Sequence, residues 1–273
     1  MMVGMGELEY RRDLFRGTAA YYDRFRPAYP STLLDDLRAR VPLGGHGRLL
    51  DLACGTGQVA FALAPDFDEV LAVDQEPEFV AFGTAKCERS GITNIRWMTG
   101  AAEEAALDGV FDLVTVGNAF HRLRRQVVAD RSATCVTPHG CVALLWGGSP
   151  WSGPRPWQQA MDELLERWMR EVEAVGRVPA GWREAMDADP HQRVLERAGF
   201  RYDGRFEFEA PHRWSIGELA GLVLSTSFLN REALGARVRE FEEDLRTCML
   251  SFSRTGSFEE DASFAYELAR MTA

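Results

Sequence analysis

The chain has 273 residues, 46% apolar and 11% aromatic, enough for one large packed domain or a domain with a sizeable insertion. Its net charge of −10 argues against nucleic acid as a partner, because phosphate contacts need clustered Lys and Arg. No apolar run approaches the roughly 18 to 20 residues of a membrane helix, and the start lacks a signal-peptide pattern, so a cytoplasmic protein without a membrane partner is expected. The five cysteines (Cys54, Cys87, Cys135, Cys141, Cys248) form no C-x-x-C pair, which points to neither a metal site nor a disulfide framework.

In chain order, Tyr10, Leu14, Phe15, Tyr21, Tyr22 and Phe25 predict an amphipathic helix, broken at Pro27 and Pro30. Ser31 reads as the N-cap of a second helix carrying Leu33, Leu34 and Leu37. A short apolar run, residues 49–52, then stops at Ala53, Gly55 and Gly57, and helical spacing resumes with Val59, Phe61, Ala62 and Leu63. This is a strand, a tight turn and a helix whose N-terminus points at a ligand. Gly55 and Gly57 permit positive φ and a close approach of backbone to ligand. Asp51 falls at the strand's C-terminal edge, where open α/β sheets bind ligands. A nicotinamide dinucleotide site would want G-x-G-x-x-G and an anion at the helix N-terminus, but Ala53 takes the first glycine position. An acid here suits a cationic ligand and repels a pyrophosphate. The next buried strand, residues 69–74, ends in Asp74, 23 residues after Asp51, where an acid can hold ribose hydroxyls.

A helix follows, ended by Gly91, and residues 95–98 form a third strand leading into Gly100-Ala-Ala-Glu-Glu104. By itself that segment reads as a helix N-terminus with acids favoured by its dipole. Lys86 is the sole lysine and has no Tyr four residues before it, which removes a short-chain-type reductase. The fourth strand starts at Phe111, and Asn118 and His121 lie just past its ligand-side end. A helix over 126–135, a turn at 137–140 and a fifth strand over 141–146 come next. Beyond residue 150, Trp157, Met161, Leu164, Leu165, Trp168 and Val172 recur at helical spacing, with more helix over 183–188 and 191–198. Gly199-Phe-Arg-Tyr and Arg205-Phe-Glu-Phe-Glu predict the last two strands, paired antiparallel through a turn at Asp203-Gly204. Ser215 starts another helix, and 241–248 and 262–271 read as helical.

The D-x-x-x-G-x-G of Asp51, Gly55 and Gly57, followed by the acidic strand end at Asp74, resembles class I S-adenosylmethionine-dependent methyltransferases. Tyr22-Asp-Arg-Phe-Arg-Pro-Ala-Tyr-Pro30 is similar to a small-molecule branch of that family, methyltransferase type 11/25, with trans-aconitate methyltransferase-like proteins. The resemblance covers residues 15 to 150 and implies S-adenosyl-L-methionine as cofactor. It implies an N-terminal lid that puts Tyr21 or Tyr22 over the methionine moiety and Arg26 near its carboxylate. Asp51, Ala53, Gly55, Gly57, Asp74 and Gln75 would hold the cofactor, the backbone of Ala102 and the side chain of Glu103 would meet the adenine edge, and Asn118 would complete the site. The chain departs from the family at His121-Arg122, where relatives often carry His-Trp, and at Pro138-His-Gly140, where they commonly have Pro-Gly-Gly. The first departure bears on the substrate pocket.

The implied fold is an α/β, Rossmann-like, seven-stranded, mostly parallel sheet with an α-helical cap inserted after the fifth strand. Residues 1–40 would be the lid, 41–150 the cofactor-binding core, 151–198 the cap, and 199–273 the last strands and C-terminal helices. Methyl transfer from a sulfonium is an in-line displacement, so positioning can supply most of the catalysis. His121, predicted on the ligand edge, is the candidate base for an oxygen acceptor, or else shapes the pocket. Trp157 and Trp168 read as core; Trp146 and Trp151 have a fairer claim on the pocket. The expected acceptor is a small molecule, such as a secondary metabolite, methylated on oxygen or nitrogen. A C-methyltransferase, a protein that holds the cofactor without methyl transfer, and a homo-oligomer stay open.

Overall fold

The computed structural model describes residues 11–41 and 46–272; Tyr10, assigned above to the first helix, lies outside them. Two helices lead in, α1 (Ala19–Phe25) and α2 (Ser31–Arg40). Strands and helices then alternate through β1 (Arg48–Leu52), α3 (Gln58–Leu63), β2 (Glu69–Asp74), α4 (Pro77–Ser90), β3 (Ile95–Thr99), β4 (Phe111–Gly117), α5 (Arg125–Cys135) and β5 (Val136–Gly147). After β5 come α6 (Pro156–Glu171), α7 (Trp182–Ala188) and α8 (His191–Arg197), then β6 (Phe200–Ser215). Helices α9 (Ile216–Leu224), α10 (Arg231–Leu234) and α11 (Val238–Leu250) separate β6 from β7 (Ser257–Met271).

The seven strands form one sheet in the order β3-β2-β1-β4-β5-β7-β6, with β7 alone antiparallel to its neighbours. Apolar layers cover both faces, as parallel strands require. On one side Leu33 and Leu37 of α2 and Leu63 of α3 pack on Leu49, Leu113 and Tyr266. On the other, Val128 of α5 and Val194 and Leu195 of α8 pack on Leu50, Leu71 and Val114. The chain reverses direction across the sheet between β1 and β4, and a crevice opens there beyond the strands' C-terminal ends.

A third core lies off the sheet, where α6 brings Trp157, Met161 and Trp168 against Leu219 and Val223 of α9 and Phe241 and Leu245 of α11. The Trp168 indole donates to Asp244 at 2.8 Å and meets Phe241 edge-on, with centroids 5.5 Å apart. Tyr21 and Phe25 of α1 pack against this cluster, and the Phe25 ring occupies the space a side chain at Gly221 would need. The helical layer off the sheet is therefore built from two segments, the predicted one after the fifth strand and a second between β6 and β7.

Three expectations are corrected. Residues 200–215 are one strand, not a hairpin: Asp203-Gly204 is a bulge with a register shift between Tyr202 and Gly204, and Gly204 has φ +139°. Residues 262–271 are the end of β7, not a helix. Their Phe264, Tyr266 and Leu268 face one layer, and the strand lies between β5 and β6, so tertiary pairing overrides the helical look of its Ala, Glu and Leu. Pro30, not Ser31, caps α2, in extended backbone with φ −66° and ψ 149°.

Candidate active site

The turn after β1 carries left-handed backbone at Ala53, Gly55 and Gly57, with φ of +50°, +57° and +87°. At Gly57 a Cβ would come 2.5 Å from the Trp97 ring and 3.1 Å from Phe61, so this position admits only glycine without repacking. Asp74 fastens the turn from the neighbouring strand. One of its carboxylate oxygens accepts the Gly55 N–H at 2.8 Å, and the other accepts the Glu76 N–H at 2.9 Å. Burial pushes the Asp74 carboxyl up to about 6, against the pull of those backbone donors. Asp51 is more deeply enclosed, at 1% exposure. It accepts from the Thr115 hydroxyl at 2.8 Å and the Ala60 N–H at 3.1 Å, and burial, with Asp74 nearby, raises it to about 7.

Above the turn lies a cleft of about 450 Å³, within the size range of small-molecule sites. Of the residues singled out from the sequence, Tyr22, Ala53, Gly55, Asp74, Gln75, Ala102, Glu103 and Asn118 line it. Asn118, at φ +53°, is held by Gly147, whose N–H donates to its side-chain oxygen at 3.0 Å. Glu103 accepts the Arg124 N–H at 2.9 Å on the rim.

Asp51 and Gly57 are not on the wall; they shape the turn from beneath. Tyr21 faces away, stacked on Phe25 with its hydroxyl taking a hydrogen bond from Arg231 at 3.2 Å. Arg26 lies 4.9 Å behind the Tyr22 ring, and its Nε donates to the Ser225 hydroxyl at 2.9 Å. The guanidinium thus ties α1 to the end of α9 and stands outside the cleft lining. His121 is also outside. The 3-10 turn at residues 120–122 sinks Phe120 into the sheet core and sends His121 toward Trp182, with centroids 5.9 Å apart. Burial and the neighbouring Arg122 pull its imidazole down to about 3, so it is neutral and weakly basic. Trp146 packs against His191 and Trp151 against Phe228, and neither lines the cleft.

The structure adds wall residues that were not among the predicted site residues. Arg11, Arg12 and Phe15 form a strap over the cleft, and Phe79, Glu76 and Arg122 close its sides. The strap is fastened at both edges. Gln75 donates to the Arg12 carbonyl at 3.2 Å, the Gly17 N–H donates to Glu78 at 2.7 Å, and Asn230 donates to the Leu14 carbonyl at 2.8 Å. Phe15 meets the Tyr22 ring edge-on at 6.2 Å. In the sequence this strap is marked by the apolar spacing of Leu14 and Phe15 and by the N-terminal lid that the resemblance implies.

The arrangement fits an adenosyl sulfonium. The turn lets backbone approach without side chains, the buried acids suit a cation, and the volume matches a nucleoside-sized ligand. Comparisons agree. A methyltransferase-domain family profile matches residues 49–140. The uncharacterized methyltransferase Rv3342 of Mycobacterium tuberculosis is 30% identical over 224 residues, spanning 80% of this chain and 79% of that protein. The YcgJ structure from Bacillus subtilis superposes with a TM-score of 0.56 at 16% identity, over 89% of this chain and 100% of that one. An N-methyltransferase from Haemonchus contortus, bound to phosphomonomethylethanolamine and S-adenosylhomocysteine, superposes at 0.53 with 13% identity, over 96% of this chain and 60% of that one. Signature, strand order and relatives converge, and the chain belongs to the class I S-adenosylmethionine-dependent methyltransferases.

Proposed function

We propose that this methyltransferase acts on a small, non-polymeric acceptor, methylating it on oxygen or nitrogen. The observation that carries the reading is the strap. Residues 11–17 cross the cleft and are fixed to the junction of β2 and α4 by Gln75 and Glu78 and to the start of α10 by Asn230. A site roofed in this way admits a molecule of limited size and keeps polymer chains out. S-adenosylmethionine supplies an electrophilic methyl on a sulfonium. Ala53 and Gly55 would offer backbone to its amino-acid part, Asp74 and Gln75 would hold its ribose, Ala102 and Glu103 would meet its adenine, and Tyr22 and Asn118 would line the space left for the reacting end.

Excluding water keeps the incoming nucleophile unhydrated and aligned, which gives the strap and cap a mechanical purpose. A neutral amine, or an oxygen already ionised, requires no base in the transfer step. That suits a cleft with no histidine among its described lining residues, His121 being turned toward Trp182. The test is transfer of labelled methyl from S-adenosylmethionine in fractionated metabolite extract, with RNA and protein as competing acceptors. Label in the low-molecular-weight fraction is expected; label confined to RNA or protein would overturn the reading.

A further inference from the structure

Three arginines from distant parts of the chain meet the buried loop after α9. Arg26 bonds Ser225, Arg122 donates to the Ser227 hydroxyl at 2.8 Å, and Arg177 donates to the Ser227 carbonyl at 3.1 Å. Of these, only Arg122 lines the cleft. We infer that the acceptor carries an anionic oxygen group, a carboxylate or a phosphate, and that Arg122 is the specificity-determining residue that holds it. This inference rests on the small-molecule reading above and names its substrate class.

The position follows from the turn that ends β4. Phe120 enters the core, His121 faces Trp182, and Arg122 emerges on the wall. Its guanidinium carbon lies 5.0 Å from the centroid of the Phe15 ring of the strap. Ser227 sets its direction and is itself held firmly. The serine is 2% exposed, and the Arg177 that grips its carbonyl is anchored to Glu232 at 2.9 Å. Arg122 also lies close enough to Tyr22 to oppose the burial that raises that phenol. A guanidinium on the cleft wall is chemically matched to a carboxylate or phosphate, whose paired oxygens it can bind by charge-assisted hydrogen bonds.

The cleft carries both signs of charge, and its rim pairs Arg12 and Arg124 with Glu104. Asp74 and Glu76, both buried, lie at the end of β2 and suit a cationic cofactor. Arg122 comes from the far side of the reversal point, beyond β4, and suits an anion.

The rival role for Arg122 is the carboxylate of the cofactor itself, and the test separates the two. Citrate, inorganic phosphate and choline are titrated calorimetrically into the protein saturated with S-adenosylhomocysteine. At least one anion should bind and choline should not. Arg122→Gln should weaken anion binding by about 10- to 100-fold, as for loss of a charge-assisted pair, with Arg122→Lys intermediate. Affinity for S-adenosylhomocysteine should stay within about 3-fold, which also shows that the variant is folded. The inference fails if neither anion binds the saturated wild type, or if Arg122→Gln binds it unchanged. It also fails if the variant loses S-adenosylhomocysteine while keeping 5′-methylthioadenosine, which lacks the amino-acid part. Wild type that binds no S-adenosylhomocysteine would instead refute the cofactor-site reading beneath it.

Discussion

Replacing Asp74 with Asn separates the two jobs that its carboxylate performs. In the free protein it accepts two backbone N–H groups, from Gly55 and Glu76, at 6% exposure. Asparagine has one acceptor oxygen, so one buried N–H would face an amide NH2, at a cost of about 1–3 kcal/mol. The substitution also removes a buried charge. Raising the carboxyl from 3.8 to about 6 means that the ionised form is disfavoured by about 3 kcal/mol at neutral pH, at about 1.4 kcal/mol per unit. The two effects oppose each other, so stability at pH 7.5 should change by no more than about 2 kcal/mol. Cofactor binding has no such compensation. If the carboxylate also takes the ribose hydroxyls, Asp74→Asn should weaken S-adenosylhomocysteine by about 10- to 100-fold. Urea denaturation and calorimetry on the same preparation measure both quantities. A folded variant with unchanged affinity would show that the ribose is held elsewhere, and collapse of the fold at pH 7.5 would show that the carboxylate is chiefly a structural post.

Asp51 gives a pH signature. An acid whose folded pKa is raised, here from 3.8 to about 7, binds its proton more tightly when folded, so its contribution to stability falls as pH rises through that window. The wild type should therefore lose stability relative to Asp51→Asn between pH 5 and pH 8, and parallel profiles would contradict the assigned burial. Gly57→Ala should cost about 1–3 kcal/mol, from left-handed backbone and the Trp97 ring 2.5 Å from the new methyl; a wild-type midpoint on thermal denaturation would contradict that. Deleting residues 1–26 should leave a folded protein with weaker cofactor affinity and little turnover. It should also speed proteolysis around residues 177–181, because Asn230 contacts both Leu14 and Arg177; full activity on the acceptor would show that the strap is ordinary packing.

What the sequence revealed was set by how local the signal is. The turn at residues 53–57 and the acids ending β1 and β2 are written in adjacent residues, and a tight turn with its following helix leaves little freedom. The strap, the placing of Arg122 and the two-part helical layer depend on approaches across the chain. Arg122 is oriented by Ser227, 105 residues later, and Leu14 is clasped by Asn230, 216 residues later. No spacing rule reaches that far. Arg26 sits beside the predicted site in sequence, yet its guanidinium is taken by Ser225 behind Tyr22. His121 was placed by strand-end logic, which locates a Cα but not the turn that rotates the side chain. The end of β7 was misread because a strand buried on both faces loses its alternation, leaving Ala, Leu and Glu to suggest a helix.

The central claim is that the cleft over the Asp51–Gly57 turn holds an adenosyl sulfonium under the strap. Calorimetric titration of the purified chain with S-adenosylmethionine, S-adenosylhomocysteine and NAD tests it most directly. The account predicts one site for the first two ligands, weakened in Asp74→Asn, and no heat from NAD. Tight NAD binding with no response to either adenosyl ligand would contradict it.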